Sequence, residues 1–120
     1  MKKYRWIGDK LCGTACDIQS KYCATGERCV NECFEQDGKG AFRYMIDGKP
    51  MQIEVPSDKY DEALKAMEEK IRNGQVNGVM DPVEAKKIIW KGHFTYAQAK
   101  NIAKAGLNSA LVGVLKLLCR

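Results

Sequence analysis

Cys12-Gly-Thr-Ala-Cys16 and Cys29-Val-Asn-Glu-Cys33 are two equal C-x3-C pairs separated by twelve residues. On a helix, residues four apart share a face, so each pair would aim both sulfurs in one direction. Two short antiparallel helices with a turn near Ala24-Thr25-Gly26 would bring Cys12 opposite Cys33 and Cys16 opposite Cys29. That predicts a cysteine-paired helical hairpin over 1–38 with disulfides Cys12–Cys33 and Cys16–Cys29. Cys23 would either pair with Cys119 or stay free. Helices of about two turns do not hold alone, and a crosslink closing a loop of this size contributes about 3 kcal/mol. The same four residues Cys12, Cys16, Cys29 and Cys33 also suit a thiolate zinc site, although C-x2-C on a turn is the more usual zinc spacing. Free, buried thiols are the third reading.

The spacing resembles other twin C-x3-C helical hairpins, such as the small mitochondrial intermembrane-space chaperones and the plant hairpin peptides. That resemblance covers about 25 residues and implies architecture, not function.

Downstream, residues 41–46 and 51–55 are β-prone runs around Asp47-Gly48, a dipeptide suited to a tight turn in which both positions have positive φ. A two-residue turn there opposes Ile46 to Lys49, Tyr44 to Met51 and Phe42 to Ile53. A lone hairpin needs cover over its apolar face. Tyr60, Ala63, Leu64, Met67 and Ile71 form a helical stripe to supply it. Asp58 is placed to cap that helix and Asn73-Gly74 to stop it. Glu68 and Glu69 read as solvated charges rather than an acid–base pair.

The last third contains a fourteen-residue repeat. Gly78 to Gly92 and Gly92 to Gly106 each run glycine, any residue, apolar residue, cap, and then a side chain able to reach back: Asp81 with Glu84, Thr95 with Gln98. Pro82 stands at a favoured first helical position. The repeat predicts two short helices with Ala85, Ile88, Ile89 and Ala99, Ile102, Ala103 turned inward. A third helix is expected over 108–118. The predicted fold is therefore α+β and mainly α: the stapled hairpin, then over 39–120 one β-hairpin packed on a helix and a short-helix array.

Charge is uneven. Residues 81–120 hold seven basic side chains against Asp81 and Glu84, which accounts for the whole net charge of +5. An anionic partner would meet that third, through Lys86, Lys87, Lys91, Lys100 and Lys104. Without a cluster of Arg, Asn or Gln suited to base edges, the expectation is weak anionic or nucleic-acid attraction and not base reading. No phosphate loop, metal-binding histidine pair or nucleophile elbow appears, so no enzyme is expected. His93 reads as a surface residue. The apolar run from Ala110 to Cys119 is about half the length a spanning helix needs, so no span is expected. Disulfides imply an oxidising setting, periplasmic or exported rather than cytoplasmic.

Met51-Gln-Ile-Glu-Val-Pro, the helix from Asp58, Asp81-Pro82 and Gly92-His-Phe-Thr-Tyr-Ala-Gln-Ala-Lys-Asn-Ile-Ala-Lys-Ala-Gly106 resemble an uncharacterised family of bacterial proteins. Its longer members continue into an alanine- and glycine-rich, membrane-prone region. The resemblance implies a shortened form, joined at Lys-Ala-Gly, of a membrane-associated or exported protein. The expected function is a non-enzymatic protein-interaction domain without cofactor, docking on another protein. A zinc-stabilised, nucleic-acid-binding module is the alternative.

Overall fold

A computed structural model of the chain describes residues 4–7, 10–13 and 18–104. Its centre is a parallel sheet of three strands: β3 (Ile18–Ser20), β6 (Gln52–Val55) and β7 (Ile89–Lys91), with β6 in the middle. Two antiparallel ribbons accompany it: β1 (Tyr4–Ile7) with β2 (Lys10–Gly13) ahead of β3, and β4 (Met45–Ile46) with β5 (Lys49–Pro50) between β3 and β6. The helices are α1 (Gly26–Asn31), α2 (Tyr60–Arg72), α3 (Ala85–Ile88) and α4 (Tyr96–Lys104). The fold is thus mixed helix and strand, as expected, but its sheet is built by crossover and not by a hairpin.

The central strand explains the difference. Met51, Ile53, Glu54, Val55 and Pro56 are all buried. Burial at consecutive positions 53–56 suits the middle of a parallel sheet better than one edge of a hairpin. Gln52–Val55 therefore pairs with β3 and β7, in the register Gln19↔Ile53↔Ile89. The hairpin keeps only its tip: Ile46 faces Lys49 across Asp47 (φ 52°) and Gly48 (φ 75°), and the Met51 amide donates to the Tyr44 carbonyl at 2.7 Å. Phe42 does not reach Ile53 as a strand partner. It bridges to Phe34, with ring centroids 5.2 Å apart.

The helical cover falls where the stripe predicts. Ala63, Met67 and Ile71 of α2 are buried against Ile53 and Val55, with Ile88 and Ile89 completing the layer. Asn73 and Gly74 (φ 75°) close the helix. Asp58 does not cap it; its carboxylate instead accepts from the Tyr96 amide at 3.0 Å, fixing the start of α4. Helix α1 meets α2 backbone to backbone. A Cβ on Gly26 would lie 2.5 Å from the Ala63 nitrogen and 2.6 Å from the Lys59 carbonyl, so only glycine admits this approach. The Gly26 amide donates to Glu62 across the same contact.

The two repeat units fold differently. Asp81 accepts from the Val83 amide, and Thr95 and Gln98 complete a reciprocal capping box at 2.9 and 3.1 Å. The second box is as expected; in the first unit Asp81 caps alone while Glu84 turns to Lys87 at 3.2 Å, and the helix stops at Ile88. Ile89 turns extended (φ −93°, ψ 123°) and Ile89–Lys91 becomes the third strand. β-Branched residues favour strand once an unpaired edge is offered, and β6 offers it.

The N-terminal helical hairpin is not what forms. Cys12 lies on strand β2, paired with Arg5, so its segment is not a helix. Ala24-Thr25-Gly26 is not a hairpin turn; Thr25 caps α1 by accepting from the Arg28 amide at 3.1 Å. Cys16 and Cys119 lie outside the described residues. Among the described residues Cys23, Cys29 and Cys33 are free thiols. The i, i+4 spacing of Cys29 and Cys33 serves the core instead: both are 0% exposed beside Val30 and Phe34. That core also takes in Ile53, Met67 and Ile89, so it crosses the boundary expected near residue 38. The helix expected over 108–118 lies outside the described residues.

Candidate functional site

All three parallel strands run the same way, so Ser20, Val55 and Lys91 finish at one edge of the sheet. In parallel sheets that carboxyl edge is where loops converge and sites are built. Here the departing chains are tied together. The Lys21 amide donates to the Glu54 carbonyl at 2.8 Å, the Gly92 amide to the Val55 carbonyl at 2.8 Å, and the Ser57 amide to the Phe94 carbonyl at 2.9 Å.

Strand alternation places Ser20, Glu54 and Trp90 on the sheet face opposite Gln19, Ile53 and Ile89. Glu54 is buried, and its carboxylate accepts from the Tyr22 hydroxyl at 3.0 Å. Gly92 permits this meeting. A Cβ there would collide with the Tyr22 hydroxyl and stand 2.7 Å from the Val55 carbonyl. Ser20 Oγ is fully buried with no hydrogen-bond partner among the described residues. Trp90, at the far end of the row, is 44% exposed.

The residue after Tyr22 opens a second cluster. Cys23 is partly exposed. Its amide donates to Cys29 Sγ at 3.3 Å, and the Cys29 thiol points back toward the Cys23 carbonyl at 3.7 Å. Cys33 Sγ donates to the Cys29 carbonyl at 3.4 Å. The hydrogen bond from Cys29 to the Cys23 side chain brings the Cys23 thiol down to about 7, with Arg28 and Lys21 assisting against burial and Glu32. Cys29, as the donor, is pushed up, and burial lifts Cys33 to about 12. One thiol of the three is therefore poised to ionise near neutrality while its neighbours stay protonated. A partly exposed thiol of lowered pKa beside a buried protonated one is equipped for nucleophilic sulfur chemistry.

The residues singled out in the sequence are dispersed. Lys86 and Lys87 lie on α3, Lys91 on β7, and Lys100 and Lys104 on α4. Lys87 pairs with Glu84 at 3.2 Å, Lys91 sits 5.2 Å over the Tyr60 ring, and Lys100 lies 5.9 Å over Tyr96. Of the alternative zinc set, Cys29 and Cys33 share α1 and its end, Cys12 is on β2, and Cys16 is outside the described residues. Among the described residues no three metal-ligating side chains converge. Glu69 is exposed and pairs with Arg72 at 3.8 Å, and His93 is exposed in the turn after β7.

Tyr22, Glu54 and Gly92 carry no motif that sequence reading recognises. The one available signal is a glutamate inside the apolar run Met51–Pro56, a charge that a buried strand has to neutralise or bond. Cys23 and Cys29 are six apart, which fits no helical face. Their approach depends on the Thr25 cap between them.

Edge and thiols together define a small domain of parallel βαβ construction with a dithiol beside its carboxyl edge. Residues 8–72, over half of the 120, match the model of the YeeR C-terminal domain, and the chain belongs to that family. The match covers the thiol segment and the central strand, and overlaps the family-like stretch 51–106 over residues 51–72. Inner membrane protein YeeR of Escherichia coli (strain K12) is 40% identical over 83 residues, which are 63% of this chain and 16% of that protein. The chain thus spans about one sixth of the length of this curated relative. No solved structure matches.

Proposed function

We propose that this chain is the extramembrane head of a membrane-associated bacterial protein and that it works by docking on a membrane-embedded protein. The observation that carries the reading is the 40% identity to a segment making up 16% of an inner membrane protein. Among the described residues no helix is long and apolar enough to cross a membrane, which suits a head and not a span. The remaining five sixths of such a relative offers a docking partner of the same family.

Flotation tests this. Vesicles carrying E. coli YeeR from which the matching segment has been deleted are mixed with the purified chain, beside vesicles of the same lipid alone. The chain is expected to float with the first and stay at the bottom with the second. Equal flotation, or none, overturns the reading.

A further inference from the structure

We propose that Cys23 and Cys29 form a reversible thiol–disulfide exchange pair, Cys23 attacking an external disulfide and Cys29 completing an internal bridge. The geometry is that of a two-thiol relay. Cys23 follows strand β3 and is partly exposed, whereas Cys29, in the first turn of α1, is 0% exposed. The Cys29 sulfur rests against the Cys23 backbone, 3.3 Å from its nitrogen, so a disulfide carried on Cys23 would have its resolving thiol next door. Lys21 and Arg28 supply positive charge near the Cys23 sulfur, and the Cys29 thiol, now turned to the Cys23 carbonyl at 3.7 Å, is close enough to donate to the Cys23 thiolate once it forms. Rates of exchange rise with the thiolate fraction, and an attacking thiol does best with its pKa near the ambient pH. Cys33 is held apart by its bond to the Cys29 carbonyl, on the core side of the pair.

The step balances as follows. The Cys23 thiolate attacks one sulfur of an external disulfide, such as oxidised glutathione; that S–S bond breaks and one thiolate departs. Cys29 then gives up its proton, its sulfur attacks Cys23 Sγ, and the second external thiolate leaves with a proton. The external disulfide gains two electrons and two protons; the chain loses both and gains the Cys23–Cys29 bond. An external dithiol reverses it. The bridge would tie α1 to the strand end that carries Tyr22, and so to the Glu54–Gly92 edge. None of this depends on membrane docking, so either proposal can fail without the other.

The test uses the full 120-residue chain, reduced and then equilibrated in glutathione buffers of graded oxidation. Free thiols are trapped by alkylation and linked peptides mapped by mass. The expected product joins Cys23 to Cys29 with the loss of two hydrogens. Its formation should have a half-maximal rate near pH 7. Cys23→Ser should slow the fastest reaction with an aromatic disulfide reagent about tenfold or more, while Cys33→Ala leaves that phase in place. A bridge from Cys29 to Cys12, Cys16 or Cys119 overturns the proposal. So does a glutathione adduct that persists on Cys23 in the unaltered chain, or a fast phase that survives Cys23→Ser.

Discussion

The two faces of the central sheet make opposite uses of neighbouring residues. Gln19, Ile53 and Ile89 cross the three strands in one row, and Ser20, Glu54 and Trp90 cross them in the next. The first row joins the layer formed by α1, α2 and α3, where Ile53 and Ile89 are at most 1% exposed among apolar neighbours. The second row buries a carboxylate and a hydroxyl and leaves an indole partly open. An apolar layer holds by area and shape, which many residues share. A buried polar row depends on a few directed bonds, and losing one partner exposes the rest to the full cost of burial. The helix-side row therefore carries stability, and the other row carries the geometry of the carboxyl edge.

Ile53→Ala breaks the first row at its centre. It should cost about 2–5 kcal/mol in a denaturant melt, since the site is enclosed and collapses poorly. A loss below 1 kcal/mol would show that the helical layer does not depend on the central strand.

The thiols behind that row set the next effect, through pH. An unfolded thiol loses its proton near pH 8.5, whereas burial keeps Cys33 protonated to about 12, and the hydrogen bond to Cys23, followed by burial, holds Cys29 up in the same direction. Above pH 8.5 the native chain then binds more protons than the unfolded one, so its stability falls as pH rises. By pH 10 the Cys33 thiol alone should account for a loss of about 2 kcal/mol, and Cys33→Ala should flatten the slope even though it lowers stability overall. A pH-independent melting midpoint between 8 and 10 would contradict the burial of these thiols.

Tyr22→Phe sharpens the comparison from the polar side. It removes only the hydroxyl facing Glu54 and should cost about 1–2 kcal/mol, because a carboxylate keeps its burial and loses a donor. The same variant ought to leave the helix-side row intact, so hydrogen exchange should speed at Glu54 and Gly92 before Met67 or Ile71. Uniform acceleration would mean the two faces are not separable.

Local devices were legible in the sequence. Asp47-Gly48 turned the chain, Asn73-Gly74 stopped α2, and Thr95 with Gln98 capped α4, because each acts within four residues of itself. What escaped was long-range pairing. Ile88-Ile89-Trp90 followed a helix start and looked like its continuation until Ile53 claimed Ile89 as a strand partner. Gln52–Val55 followed a good turn and looked like its return strand for the same reason. The cysteines misled differently. Equal spacing suggested two matched helices, but Cys12 pairs with Arg5 in a ribbon while Cys29 packs in the core. Of the edge, only Glu54 left a trace, as an acid in an apolar run; Tyr22 and Gly92 meet it only once the crossovers are made.

Those crossovers govern how the chain can assemble. Gln19 waits for Ile53, 34 positions later, and Ile53 waits for Ile89, a further 36. No pair of adjacent strands in the sheet can zip from a turn, so each closure meets its loop entropy before any ladder bond repays it. During synthesis the middle strand must emerge with one flank bare until residue 91 has left the ribosome. Until then its apolar stretch is open to any neighbouring nascent chain.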